Sequence, residues 1–186
     1  MAVGKSVTLG LFAAWLAHDL EEWFTIGPWS RSHARPDWGP ARWMRLRWLR
    51  TGVSDAEVHV GITLVGIFVA VVAIVGVGTR GRSRLFQAFV AGFGLHGFGH
   101  LALSAGIRGY APGVATSPTV VIPYSAWAWR ALGRAGVRPS APRSMVDVAL
   151  AAILGLVALA GIYAIAGALT RRDTGAMPLA HKLTDP

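Results

Sequence analysis

Four stretches of this chain, residues 7–26, 53–77, 84–107 and 145–169, are apolar over about the 20 residues a helix needs to cross a bilayer core. No other feature restricts the fold as strongly. In hydrocarbon every backbone N–H and C=O must find its partner inside the chain, so such stretches fold as helices. The short connections between them leave a helical bundle. The expected fold is therefore an all-α integral membrane bundle, one transmembrane domain over residues 1–186 with four full spans. A fifth apolar segment, 119–132, is short for a span and contains Pro123, which suits a short re-entrant or interfacial helix, or an additional span. Residues 40–50 alternate Trp43 and Trp48 with Arg42, Arg45, Arg47 and Arg50, the composition of a helix lying in the interface.

Composition agrees. Apolar residues make up 53% of the chain and charged residues 15%, against roughly 25% charged in a soluble domain. The net charge of +9 does not mark a nucleic-acid binder, because the arginines lie between the apolar runs rather than on one polar domain. Sixteen of the eighteen basic residues are arginine, the bias expected of a GC-rich bacterial gene, so the expected location is a bacterial plasma membrane, crossed several times. The first apolar stretch does not read as a signal peptide, since it turns acidic at Asp19, Glu21 and Glu22 where such a peptide is most apolar. The absence of cysteine excludes disulfides, thiolate metal sites and cysteine nucleophiles. Any metal must then be held by histidine, carboxylate or backbone oxygen.

Titratable side chains inside membrane helices cost several kcal/mol and are functional candidates by default. On the first span His18, Glu21 and Glu22 stand at i, i+3 and i+4, on one helix face. On the third, His96 and His100 stand at i, i+4, a spacing that lets two imidazoles grip one ion. His59 is alone on the second span. Counted from the span ends, His18, His59 and His100 fall roughly 9–11 Å from the same membrane face, with His96 one turn deeper. Four imidazoles and two carboxylates thus reach one layer, and a mutual cluster is expected. Asp19 lies about 100° from His18 around the helix, placed to support a ligand or to face arginine. Ser54 and Glu57 have capping-box spacing, which makes Glu57 a helix cap. Glycines 92, 94, 97 and 99 allow helices to approach closely on the third span.

His18-Asp19-Leu20-Glu21-Glu22 spells H-x-x-E-E and His96-Gly97-Phe98-Gly99-His100 spells H-x-x-x-H, in that order on a small polytopic chain. Over roughly residues 10–110 the sequence resembles the HXXEE-domain family of bacterial membrane proteins. The resemblance implies a site at His18, Glu21, Glu22, His96 and His100 and an enzymatic role without a defined reaction. The family is described with a characteristic asparagine, and this chain contains none.

The ligand types suit one or two divalent ions: iron first, zinc or manganese next. The favoured reading is a membrane metalloenzyme, a non-haem iron oxidoreductase acting on a hydrophobic, lipid-like small molecule with an electron donor still to be named. In it His18, His59, His96 and His100 with Glu22 hold metal, and Glu21 bridges two ions or transfers protons. Three alternatives stand beside it. One is a zinc hydrolase with Glu21 as base, one a metal-free acid–base isomerase or cyclase using Glu21 or Glu22, and one a small proton or metal-ion transporter. A homo-oligomer is compatible with the chain, and membrane lipid is its expected surrounding.

Overall fold

The computed structural model describes residues 3–35, 37 and 50–138, together with positions 161, 165 and 168, which are helical. Among these residues there is no strand. Helix α1 runs Lys5–Ser32, α2 Asp55–Gly78 and α3 Arg84–Ile107; a π-helical turn Ser117–Val121 leads directly into α4, Ile122–Arg134. The last span expected over 145–169 and the interfacial helix over 40–50 lie outside the described residues, apart from those helical positions and the helical residue 50.

Helix α1 occupies the middle. It packs against α2 on one side and against the π-turn and α4 on another, while α3 pairs with α4 and α2. It is longer than the 7–26 stretch suggests and continues through Pro28. Proline withholds one helical hydrogen bond, and the helix survives because its last turn is tied elsewhere. The Ser30 and Ser32 hydroxyls donate back to the carbonyls of Gly27 and Trp29, each at 2.9 Å. Arg31 donates to the Val53 carbonyl and to Asp55, both at 3.0 Å, which fastens the end of α1 to the start of α2.

Helix α2 begins in the expected capping box. The Ser54 hydroxyl accepts from the Glu57 N–H at 3.2 Å, and Glu57 accepts from the Ser54 N–H at 2.8 Å. Two otherwise orphaned donors are satisfied in exchange. Ser54→Ala should cost about 1 kcal/mol, seen as a lowered unfolding midpoint in a thermal melt followed by circular dichroism.

Helix α3 has the bounds expected of the third span. The turn before it is held by the buried Gln87, whose amide donates to the Gly81 carbonyl at 2.7 Å and to the Val137 carbonyl at 2.9 Å. Pro123 does not interrupt the 119–132 segment. It sits in the first turn of α4, where a missing N–H is harmless, so a helical stretch runs without a break from 117 to 134. Gly94 brings α4 close and Gly97 the end of the π-turn: a Cβ on Gly94 would meet Ser125, and one on Gly97 would meet Val121, each at 2.9 Å. Gly92 and Gly99 face open space and take no part in this packing.

The core contains Leu11, Val58, Val69, Val72, Phe86, Val90, Val121 and Leu132, but also the fully buried His18 and the nearly buried Glu22. The outer face carries Leu20, Phe24, Ile67, Ile74, Leu95 and Phe98, all more than half exposed. Helices α2 and α3 are long and apolar enough to cross a membrane. Helix α1 matches them in length and carries Asp19, Glu21 and Glu22 instead of an unbroken apolar run.

Candidate metal centre

Three imidazoles and one carboxylate converge between α1 and α3. His18 and Glu22, one helical turn apart, face His96 and His100, also one turn apart, and one donor atom from each lies within 4.8 Å of all the others. The Nε2 atoms of His96 and His100 are 2.8 Å apart, and those of His18 and His96 are 3.3 Å apart. Glu22 Oε1 is 3.3 Å from His100 Nε2 and 3.8 Å from His18 Nε2. Ligand atoms about 2.0–2.1 Å from a tetrahedral ion lie about 3.3 Å from one another, so the four are already near the spacing of a coordination shell. Phe93 closes one side, its ring edge-on to His18 at 6.0 Å. His96 is the exposed member of the four.

The loop between α3 and the π-turn orients these rings. Glu21 points away from the cluster into this loop, where its Oε1 accepts from the Tyr110 hydroxyl at 2.7 Å and the Ala115 N–H at 3.3 Å. Its Oε2 accepts from the Thr116 N–H at 2.9 Å and the Thr116 hydroxyl at 2.6 Å. Burial, with Glu21 beside it, raises the Tyr110 phenol above its ordinary pKa and keeps it a donor. Since the single Thr116 hydroxyl proton goes to Glu21, the contact of 2.8 Å between Thr116 Oγ1 and His18 Nδ1 has the imidazole as donor. This network assigns the His18 tautomer: Nδ1 carries the proton and Nε2 turns a bare lone pair into the cluster.

His100 is oriented by the same loop. Its Nδ1 edge lies against Gly113, while Nε2 is turned to His96 and Glu22. The inward-facing lone pair of His18 therefore meets His96, which has at most one Nε2 proton to share, and the Glu22 carboxylate adds another acceptor. The cluster is short of positive charge, which is what a divalent ion supplies, and its nitrogen and oxygen donors fit a first-row transition metal. The four residues can hold one ion; Glu21, engaged by four donors, is not placed to bridge a second.

Gly113 makes this arrangement possible. Its φ is +79°, and a Cβ there would stand 2.7 Å from His18 Cε1 and 2.9 Å from His100 Cε1 and Nδ1. The loop is anchored from the far side by Trp29, whose indole N–H donates to the Tyr110 carbonyl at 2.8 Å.

Of the six ligands expected from sequence, the structure brings four together. Glu21 supports His18 through Thr116, and His59 is elsewhere. The His59 ring stacks on Trp23 at 3.9 Å and 8°, with Nε2 at 3.2 Å from the Trp23 carbonyl. Depth along a helix fixes height but not the direction a side chain takes, and His59 faces the α2 side of α1 whereas the cluster lies on the α3 side. Among the described residues Asp19 supports no ligand and faces no arginine; it lines a cleft between α1 and α2.

Thr116, Pro112, Gly113 and Tyr110 were not singled out in the sequence, where 110–118 reads only as a proline- and glycine-containing loop. The available signal was Pro112-Gly113 directly after the helix with the two histidines. Thr116→Val should weaken metal binding about 10–100-fold, the usual cost of losing a group that orients a ligand, and Thr116→Ser should restore most of it. A chelator competition titration reads both.

Residues 9–128 match the model of a family described as a protein of unknown function with an HXXEE motif. No curated protein and no solved structure matches the chain.

Proposed function

The chain belongs to the HXXEE family, and from that premise we propose that it is a multi-pass membrane enzyme with a mononuclear metal centre formed by His18, Glu22, His96 and His100. The observation that carries this reading is the convergence of three imidazole Nε2 atoms and one carboxylate oxygen from two helices, with the tautomer of His18 set by the loop through Thr116. A merely structural histidine pair has no need of such orientation. The membrane assignment is supported by the inversion of the usual pattern: large apolar side chains such as Phe24 and Ile74 outside, His18 and Glu22 inside. The proposed architecture is the four-span bundle, in a bacterial plasma membrane, and the exposed edge at His96 lets an apolar substrate approach from the bilayer.

Among reaction classes we favour an iron-dependent oxidoreductase. A metal in this set of nitrogens and oxygen would supply redox or Lewis-acid chemistry. Hydrolysis with Glu21 as base is less well supported, because all four of its hydrogen bonds are spent on Tyr110, Ala115 and Thr116. In the favoured reading Glu22 completes the ligand set, and Glu21 acts through Thr116 to hold the proton on His18 Nδ1.

The test is the metal content of the detergent-purified chain together with its optical and electron paramagnetic resonance spectra before and after addition of a reductant. Bound iron with spectra that change on reduction is the expected result. Stoichiometric zinc and no response to reductant would move the reaction class to hydrolysis, and loss of all metal from folded protein would remove the metalloenzyme reading.

A further inference from the structure

We propose that the cleft between α1 and α2 binds a long-chain or isoprenoid alcohol whose hydroxyl hydrogen-bonds to Asp19. The cleft has a volume of about 350 Å³, within the range of small-molecule sites, and its walls are apolar: Trp15, Trp23, Ile62 and Ile67 line it, with Thr63 the other polar neighbour. Asp19 opens into it and is only 8% exposed. No described residue gives this carboxyl a hydrogen bond or an ion pair; its immediate charged neighbour is the like-charged Glu22. A ligand hydroxyl supplies the hydrogen bond that no described residue gives this carboxyl, and in apolar surroundings such a bond is strong.

The chemistry of the ligand follows from the path to it. The cleft opens onto an outer face where Leu16, Leu20 and Ile67 are 51%, 57% and 60% exposed, so its occupant comes through an apolar medium. A hydroxyl loses far less than an ammonium on leaving water, and it can donate to Asp19 while its chain replaces lipid against Trp15 and Ile67. The cleft lies on the α2 side of α1, His18 and Glu22 do not line it, and the proposal does not depend on the metal-centre reading.

The experiment uses the full chain in lipid nanodiscs, a long-chain fatty alcohol with a photoreactive diazirine near its hydroxyl, and the matching hydrocarbon probe without the hydroxyl. Cross-linked residues are mapped by mass spectrometry. Label from the alcohol should concentrate on α1 and α2 residues lining the cleft, and unlabelled alcohol should compete it away where unlabelled alkane does not. Asp19→Leu should lower labelling about tenfold, as expected for one lost hydrogen bond. Ala70→Phe, which narrows the cleft while leaving Asp19 in place, should lower it as well. Circular dichroism and monodisperse elution confirm that each variant is folded, and either variant alone suffices if the other is not. Equal labelling by the hydrocarbon probe, label spread over the outer faces of α2 and α3, or full labelling in a folded variant would overturn the proposal.

Discussion

His100→Ala is expected to strip the metal from the purified chain, and His18→Ala should do the same, whereas His59→Ala should leave the metal content as it is. The first two substitutions each remove one of three imidazoles, at a position where the ring lies 3.3 Å or less from the next donor. Losing a group that merely orients a ligand costs 10–100-fold in affinity, so losing the ligand itself should cost more than about 100-fold. After gel filtration this reads as a fall from near one ion per chain to under a tenth. His59 is held by Trp23, through a stacked ring and a backbone contact, and takes no part. Elemental analysis of the three variants separates a cluster set by geometry from one set by depth alone. If His59→Ala lost metal as His100→Ala does, the placement of the centre would be wrong.

Gly113→Val should be nearly as damaging, although residue 113 has no side chain to offer a metal. The backbone there is left-handed, which costs a β-branched residue about 1–2 kcal/mol, and the new Cβ would overlap the two imidazole edges at 2.7 and 2.9 Å. Neither ring can retreat without leaving the cluster, so the loop must lift. That movement breaks the hydrogen bond between Thr116 and His18. The expected outcome is a loss of more than about tenfold in metal affinity together with a destabilisation of roughly 2–3 kcal/mol, measured by chelator competition and thermal melting. Gly99→Ala is the control. It lies between the two histidines in sequence, but a Cβ there meets nothing within 4 Å, and alanine favours the helix by roughly 0.5–1 kcal/mol. It should keep its metal and melt no lower than the parent.

The helices were legible in the sequence because apolar length is a local property. The capping box at Ser54 and Glu57 and the bounds of α3 could be read directly, since each depends on residues a turn apart. The end of α1 could not, because Pro28 points to a break and the interactions that override it come from Val53 and Asp55. The pairing of His18 and Glu22 with His96 and His100 was legible for the same reason as the helices: i, i+4 spacing confines both members to one face, and two such faces need only meet. His59 shows where that reasoning ends. Its height matches, but the face it uses is decided by the packing of Trp23 against α2. Glu21 shows a second limit, since a position at i+3 lies close enough to the ligand face to be counted with it and far enough round to reach Tyr110 and Thr116 instead. The loop residues that set the His18 tautomer carry no periodic signal at all.

The proposed centre is a single ion held by three histidines and one carboxylate across α1 and α3. X-ray absorption on the purified chain, with metal content measured on the same sample, tests it most directly. The expected result is near one first-row transition metal per chain, with a first shell of nitrogen and oxygen at about 2.0–2.2 Å and outer-shell scattering that requires three imidazoles. Folded protein that takes up no iron, manganese or zinc on reconstitution, or a bound metal whose spectrum requires no more than one imidazole, would contradict it.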